Sequence, residues 1–211
     1  MLDSQSINLL NVAPAVKAAF HRLLGVDVGA PGSVNGPGTA FGATVSAAEY
    51  GVGPLRKTVL TCSKTPIAIS DDAAVAQYGG VKVYDFPDGL LLFLGAVIDG
   101  ALTGYASLID TFDGDVALGT VTASTGNTLV STEADLMQSV ALSQAVAEVA
   151  VADAVTVAAA LTESGARHLD GTTTAKDMFL NFVIDDNGAH GAGTAFFTGT
   201  ISFAWMILGD K

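Results

Sequence analysis

Apolar and polar residues alternate most regularly near the end of the chain, in residues 177–184 and 200–208. A period of two places every second side chain on the same face of a β-strand. Both segments are therefore predicted to be strands with one buried face. The apolar residues that share this face are Met178, Leu180, Phe182 and Ile184 in the first segment and Ile201, Phe203, Trp205 and Ile207 in the second.

Shorter apolar segments separated by turn residues precede these two strands. They predict four more strands, at residues 57–62, 66–70, 81–86 and 116–123. Many short strands separated by turns are typical of antiparallel sandwiches and jelly rolls. The expected fold class is therefore all-β, an antiparallel β-sandwich of the jelly-roll type.

The longest apolar run, Gly89–Ile109, contains one charged residue, Asp99. A membrane helix needs about 20 apolar residues, and a charge near its centre costs about 2.5–3.5 kcal/mol on insertion scales. Inside the run, Gly95, Gly100 and Gly104 contribute no apolar surface. We therefore expect β-strands here and no membrane span.

Within this run, Asp99-Gly100 is a type I′ turn signal, which predicts a hairpin between two strands, residues 90–98 and 101–109. The first of these strands begins with Leu90–Leu94, which is apolar at every position. We expect it to be buried on both faces, either inside a sandwich or against a neighbouring subunit.

A helical period occurs near the start of the chain, in residues 11–24, and Gly25 follows as a stop signal. Residues 25–42 are rich in Gly and Pro and are predicted to form an extended tether. We therefore divide the chain into a short N-terminal helix with a Gly-rich arm, residues 1–42, and a β-sandwich domain, residues 43–211. The helix residues expected to bind a partner are Val16, Phe20, Leu23 and Leu24.

Residues 141–161 are ambiguous, because their many alanines favour a helix whereas four of their valines would share one face of a strand. We favour the strand interpretation. The helical alternative stays open at this point.

The composition restricts the classes of partner. The chain has 211 residues, of which 50% are hydrophobic, and its net charge of −12 repels nucleic acid and anionic membranes. We therefore expect neither nucleic acid nor a membrane as a partner. The single cysteine, Cys62, allows no disulfide within the chain. The first ten residues lack a basic region followed by an apolar core, so we expect no signal peptide.

The motifs of common catalytic sites are not found. The Lys-Thr pairs at Lys57 and Lys64 lack the preceding Gly of a phosphate-binding loop, and Ser164 lacks one Gly of a nucleophile elbow. No metal-ligand spacing connects the histidines, which are His21, His168 and His190. We therefore expect a non-enzymatic protein without a cofactor.

Acidic residues cluster in two predicted loops, where their oxygens could bind a hard divalent cation. The same loops contain Asp-Gly or Asn-Gly pairs, which turns use without any ion. Both interpretations stay open. The residues concerned are Asp110, Asp113 and Asp115 in one loop and Asp185, Asp186 and Asn187 in the other.

Several long stretches are similar to a family of virion structural proteins from tailed bacteriophages. The resemblance extends over residues 47–211, and its main stretches are GVGPLRKTVLTCSKTPIAISDD, VAQYGGVKVYDFPDGLLLFLGAVID, GDVALGTVTAS, DGTTTAKDMFLNFVIDD and GTISFAWMILGD. It implies a capsid decoration or cement protein that is made in the host cytoplasm, binds to the capsid surface and clamps neighbouring major capsid proteins. It also implies a homo-oligomer, such as a dimer or trimer.

Two other functions stay open. A major capsid or shell subunit of a tailed phage would need a long spine helix, and residues 141–161 are the one stretch that could supply it. A host-binding or carbohydrate-binding β module would expose aromatic side chains, whereas the aromatic residues here fall at predicted buried positions such as Trp205.

Overall fold

Eleven β-strands and one short 3₁₀ helix, Ser131–Glu133, account for most of the chain that the structure, a computed structural model, describes. The described residues are 38–51, 54–72, 76–103, 113–124, 128–143, 154–159, 167–185 and 192–209. The strands are β1 (Thr39–Ala40), β2 (Val45–Tyr50), β3 (Leu55–Asp72), β4 (Ala76–Asp85), β5 (Leu90–Thr103), β6 (Asp113–Gly119), β7 (Met137–Ser143), β8 (Ala154–Ala159), β9 (Arg167–Asp170), β10 (Asp177–Asp185) and β11 (Gly193–Gly209).

All described strand pairs are antiparallel and belong to one sheet with the order β7-β6-β10-β4-β3-β11-β5-β8. Three short strands join its long members: β1 pairs with β4, β2 with β3 and β9 with β5. The predicted all-β antiparallel class is confirmed. Of the three longest strands, β3 pairs with β2 at one end and β4 at the other, and β5 pairs with β9 at one end and β8 at the other, whereas β11 lies between β3 and β5 along its length. We describe the sheet as a half built on these long strands and a half built on β4, β10, β6 and β7.

The sheet is curled, which brings these two halves together around one core. Tyr84 lies near the end of β4, and its ring centroid is 5.1 Å from that of Phe203 on β11, although β3 separates the two strands in the sheet. Phe86, just after β4, lies 5.9 Å from Trp205 in an edge-to-face arrangement. Edge-to-face aromatic pairs contribute about 0.5–1.5 kcal/mol beyond their buried area, so this cluster holds the curl.

The alternating patterns predict the buried faces of the last two long strands correctly. Ile201, Phe203 and Trp205 are buried, and so are Met178, Leu180 and Phe182. On β10 the opposite face is buried as well at Asn181 and Val183. A polar residue at an alternating position predicts a solvent-exposed face. Burial of Asn181 and Val183 therefore requires a segment outside the sheet that covers this face of β10.

The predicted hairpin at Asp99-Gly100 is wrong, because β5 runs through it without a break. These two residues pair with Thr200 and Gly199 of β11. A Cβ added to Gly199 would lie 2.4 Å from the Cα of Gly100. Gly100 therefore allows the backbones of β5 and β11 to approach closely, and it does not form a turn.

The predicted strands 57–62 and 66–70 are one strand, β3. A bulge at Ser63 and Lys64 separates them, where Lys64 has a φ of 51° and the register with β11 shifts. The Lys64 amide donates a hydrogen bond of 3.2 Å to Oγ1 of Thr198. The bulge bends the strand without ending it.

The predicted helix of residues 11–24 and most of the Gly-rich arm lie outside the described residues. The end of the predicted tether is already part of the sheet, since Thr39 and Ala40 pair with Asp85 and Tyr84. In the ambiguous stretch 141–161, the described residues 141–143 and 154–159 are strands, as we favoured.

Candidate interaction surface

The long-stranded half exposes an apolar outer side. The expectation that Leu90–Leu94 is buried on both faces is wrong in the single chain, because Leu91 and Phe93 point inward while Leu90 and Leu94 are 36% and 42% exposed. Similar side chains lie on the neighbouring strands. We call this surface the outer apolar face, and it consists of Leu55, Val59, Leu90, Leu92, Leu94, Val97, Ala204, Met206 and Leu208.

The register of β3, β11 and β5 arranges the face in three rows across the strands. The first row is Leu55, Met206 and Leu92, the second is Lys57, Ala204 and Gly95, and the third is Val59, Ser202 and Val97. The first and third rows carry larger apolar side chains. The second row is low at its centre, because Ala204 and Gly95 project little or nothing above the backbone.

A bulge shapes the β5 end of the second row. The register shifts between Ala204 and Trp205, so Leu94 is an extra residue on β5, and Gly95 has a φ of 143°. A positive φ at this position favours glycine. Leu94 is left on the outer side, where it adds apolar surface beside the low row.

Charge on the face is sparse although the whole chain has a net charge of −12. Lys57 is the one charged residue in the three rows. Among the described residues, exposed acidic side chains lie next to the rows at Asp88 just before β5, Asp99 of β5 and Asp170 of β9. The three rows themselves contain no acidic residue.

The outer side of the other half is covered by residues 120–124 and 128–136, which we call the cover loop. The loop packs Leu129 and Ala123 against Ala117 of β6 and Val183 of β10, forming a small second core. Gly119 lies directly beneath it, since a Cβ there would be 2.3 Å from the carbonyl carbon of Glu133. The loop thus supplies the cover that burial of both faces of β10 requires.

Asn181 holds the cover loop to β10 through its side-chain amide. Its Oδ1 accepts a hydrogen bond of 3.0 Å from the Ala123 amide, and its Nδ2 donates to the carbonyl oxygens of Val121, at 2.9 Å, and Glu133, at 2.7 Å. Asn181 is fully buried, so its own amide oxygen and nitrogen have no access to water and depend on these bonds.

Two buried carboxylates complete this network inside the loop. Glu133 Oε1 accepts hydrogen bonds of 2.8 Å from both the amide and the hydroxyl of Ser124. Asp135 accepts two more from Thr120, at 2.8 and 2.9 Å. The donors come from the loop and the end of β6, so the network is a structural clasp.

A second buried polar cluster lies inside the long-stranded half. Tyr84 donates a short hydrogen bond to Glu49 Oε1, and Trp205 Nε1 donates one of 2.9 Å to Thr58 Oγ1. Burial raises the pKa of Glu49 above its ordinary value of 4.5, although the Tyr84 bond and the charge of Arg56 oppose this shift. Oε2 of Glu49 has no hydrogen-bond partner among the described residues.

The point where the N-terminal arm meets the sheet is fixed by charged groups. Lys82 Nζ pairs with Asp85 and, at 2.9 Å, with Asp177, and it lies 4.5 Å above the ring of Phe41. Partial desolvation lowers the pKa of Lys82, but its bonds to the two carboxylates outweigh that effect and raise it overall. The Phe41 amide also donates to Val83 O at 3.0 Å, so the arm leaves from a defined position.

The predicted partner-binding residues of the N-terminal helix are outside the described part of the chain, so their contacts stay predictions. They are Val16, Phe20, Leu23 and Leu24.

The two acidic loops are partly brought together. Asp113 on β6 pairs with Asp185 on β10, so the two clusters meet at one end of the sheet. Asp110, Asp186 and Asn187 are outside the described ranges. In those ranges, no group of three or more His, Cys, Asp or Glu side chains is placed to hold a metal ion.

The remaining candidates for chemistry do not converge on a site. His168 is exposed on β9, whereas His21, His190 and Ser164 are outside the described residues. Cys62 is buried, and burial raises the pKa of its thiol to about 11, which makes it a poor nucleophile. Within the described chain, the structure contains no helix with the length and apolar character to cross a membrane.

Comparison with known proteins adds no relative: no family model, curated protein or solved structure matches this chain. The outer apolar face is therefore the feature on which a functional argument can be built. Sequence reasoning missed it as a surface, although the apolar run Leu90–Leu94 was its signal.

Proposed function

We propose that this chain is a non-enzymatic structural protein of a tailed-phage virion, a decoration or cement protein that stabilises the capsid by clamping neighbouring major capsid proteins. One observation carries the assembly role: no described part of the chain covers the outer apolar face, where Leu55, Leu94 and Val97 are more than 40% exposed. Contiguous exposed apolar surfaces commonly mark contacts with other proteins. The sequence resemblance to phage virion proteins supports the capsid as the place of assembly.

The N-terminal arm is the second contact in this proposal. Its predicted helix presents Val16, Phe20, Leu23 and Leu24 to a major capsid protein, and the Gly-rich residues that follow provide reach. The fixed base at Phe41 and Lys82 supports this role, since a tether transmits force only if its root is held.

We also propose that the curled sheet is a sandwich of the jelly-roll type. The contacts of Tyr84 and Phe86 with Phe203 and Trp205 support two layers packed across one core. The strands at residues 141–143 and 154–159 reduce the support for the major-subunit alternative, because that stretch was the candidate for a spine helix. Burial of Trp205 and Phe203 likewise removes these two rings from any carbohydrate-binding platform, which leaves Phe41 and Phe196 as the exposed phenylalanines of the described chain.

The mechanism is linkage. A protein that binds the assembled capsid lattice more tightly than free subunits shifts the equilibrium towards the lattice by its differential binding free energy. Its acidic exterior avoids competition for the packaged genome. The virion surface is the expected location, after synthesis in the host cytoplasm.

The test uses two truncations that the structure distinguishes. Removing residues 1–37 keeps β1 and Phe41, whereas removing residues 1–42 also removes the β1–β4 pairing. We expect the shorter truncation to have the same free energy of unfolding as the full chain. Its affinity for purified particles, measured by co-sedimentation, should be at least tenfold lower. The longer truncation should in addition lose stability.

Electron microscopy of particles with and without the full chain supplies the control. Protrusions at regular lattice points are expected with the chain and not without it. Density confined to a tail tip, or a shell built of this chain, would contradict a decoration role. A truncation at residue 37 that still coats particles fully would contradict the role of the arm.

A further inference from the structure

We propose that a second copy of this chain occupies the outer apolar face, with the two copies related by a twofold axis. The proposal deepens the homo-oligomer in the proposed function and rests on that function for its setting on a capsid. The relief, the charge and the area of the outer apolar face support the second copy.

The relief of the face is self-complementary. Rows on a strand repeat every two residues, about 6.8 Å, and sheets pack face to face at about 10 Å. The low row through Ala204 and Gly95 lies between the ridge of Leu55, Met206 and Leu92 and the row of Val59 and Val97. When a second copy is turned by 180° so that its first row lies over the second row of the first copy, its ridge fits into this groove. The ridge of the first copy then fits into the groove of the second.

The twofold arrangement specifies which strands meet. With the axis in the contact plane, perpendicular to the strands and between the ridge and the low row, each strand of one copy lies antiparallel over the same strand of the other. Met206 then faces the partner's Ala204, and Leu92 faces the partner's Leu94 and Gly95. On β11 and β5 each ridge side chain thus meets a small residue or the bulge of β5, as close packing of two sheets requires.

The low charge of the described part of this face permits a second copy to bind there. Two chains that each carry −12 repel each other, and the repulsion is smallest where the acidic groups are farthest from the contact. Lys57 is the one charge in the three rows. In the twofold arrangement it lies on the β3 side of the contact, away from the centre at β11, where its ammonium group stays in water.

The size of the face suits a dimer. The strands β3, β11 and β5, with six residues of β2 and four of β9 at their sides, give an area of about 600 Å² at about 4.8 Å spacing and about 3.4 Å per residue. This area lies at the lower end of what one partner contributes to a stable protein interface, about 600–1,000 Å².

The experiment compares two substitutions of exposed apolar residues. Leu94→Asp puts a charge in the contact, whereas Val121→Asp puts one on the cover loop, at a side chain that is 45% exposed and outside the face. Sedimentation velocity over a hundredfold dilution series measures the mass, against 21.3 kDa for one chain. We expect two chains for the wild type and for Val121→Asp, and one chain for Leu94→Asp.

A third variant distinguishes specific packing in the groove from non-specific hydrophobic association. Ala204→Leu adds apolar surface but fills the groove, so we expect it to weaken the dimer at least tenfold, whereas a merely adhesive face would bind more tightly. A wild type that stays a single chain, or forms three or more, overturns the proposal, and this result needs no variant to fold. A Leu94→Asp variant that folds and dimerises normally overturns it too.

These outcomes are separable from the capsid role. A single-chain wild type that still binds particles removes the dimer and leaves the decoration function. A dimer that binds no particles removes the decoration function and leaves the dimer.

Discussion

The outer sides of the two halves of the sheet are covered to different extents. Over β6 and β10, the cover loop buries Val183 and Ala117, and Asn181 holds it with three hydrogen bonds. Over β3, β11 and β5, the corresponding side leaves Leu94 and Val97 more than 40% exposed. In the described residues, a loop thus covers one apolar side of the sheet while the larger apolar side stays uncovered, which is expected if another protein covers that side.

The largest effect should come from the inner side of the long-stranded half. Trp205→Ala removes a fully buried side chain that packs on Phe86 and donates to Thr58. We expect it to lower the free energy of unfolding by about 3–5 kcal/mol. The control, Leu94→Ala on the outer side, should cost less than about 1 kcal/mol in dilute solution. Urea unfolding measures both, and equal costs would show that the outer side belongs to the core of the single chain.

Removing the clasp of the covered half should have the next largest effect. Asn181→Ala leaves the Ala123 amide and the carbonyl oxygens of Val121 and Glu133 without partners in a buried site. We expect a loss of about 3 kcal/mol, because each unsatisfied buried group costs about 1–3 kcal/mol and water reaches some of them once the loop loosens.

Val121→Ala is the control for this variant, since it keeps the carbonyl oxygen and changes an exposed side chain of the same loop. Hydrogen exchange should speed up in the cover loop of Asn181→Ala before the rest of the chain. Uniformly faster exchange would show that the loop is not a separate cover.

The sequence predicts the buried sides of β10 and β11 correctly because their periods of two are long and uninterrupted. It fails at Asp99-Gly100, since a turn signal is local whereas the partner that makes Gly100 necessary is Gly199, about a hundred positions away. It also divides β3 at Ser63 and Lys64. A bulge and a turn use the same residue types, so only the pairing distinguishes them.

The candidate surface could be predicted only in part. The run Leu90–Leu94 indicates two apolar faces, but whether the second face is covered depends on a loop elsewhere in the chain. Asn181 shows the opposite failure: its polar side chain in an alternating strand predicts exposure, and the cover loop buries it. Coverage of a sheet is a tertiary property that no local pattern encodes.

One substitution made in both halves tests the comparison directly. Val183→Thr puts a hydroxyl beneath the cover loop, where the side chain is 1% exposed, and Val97→Thr puts one on the open face. We expect Val183→Thr to cost about 1–3 kcal/mol, because the hydroxyl is buried at a site built for an apolar group. Val97→Thr should cost less than about 0.5 kcal/mol, since water still reaches it.

These two variants are measured by urea unfolding at a concentration where the chain is single. Equal costs at positions 97 and 183 would mean that both outer sides are covered within the single chain. In that case the outer apolar face would not be available to a partner.

The smallest effect distinguishes the two buried glutamates, Glu133 of the covered half and Glu49 of the long-stranded half. Glu133 accepts bonds from Ser124 and Val130, whereas Glu49 Oε2 has no partner in the described chain. Burial raises the folded-state pKa of Glu49 above 4.5, so its contribution to stability is fully present below about pH 4.5 and is lost as the pH rises through that raised value.

Glu49→Gln keeps an oxygen to accept the Tyr84 bond but cannot ionise. Relative to the wild type, the variant should therefore gain stability between pH 4.5 and 8, by about 1.4 kcal/mol for each unit by which the folded-state pKa is raised. Urea unfolding of both proteins across this pH range measures the difference. Curves that stay parallel would show that the carboxylate is already solvated or paired, and that the inner side of the open half is as fully satisfied as the clasp beneath the loop.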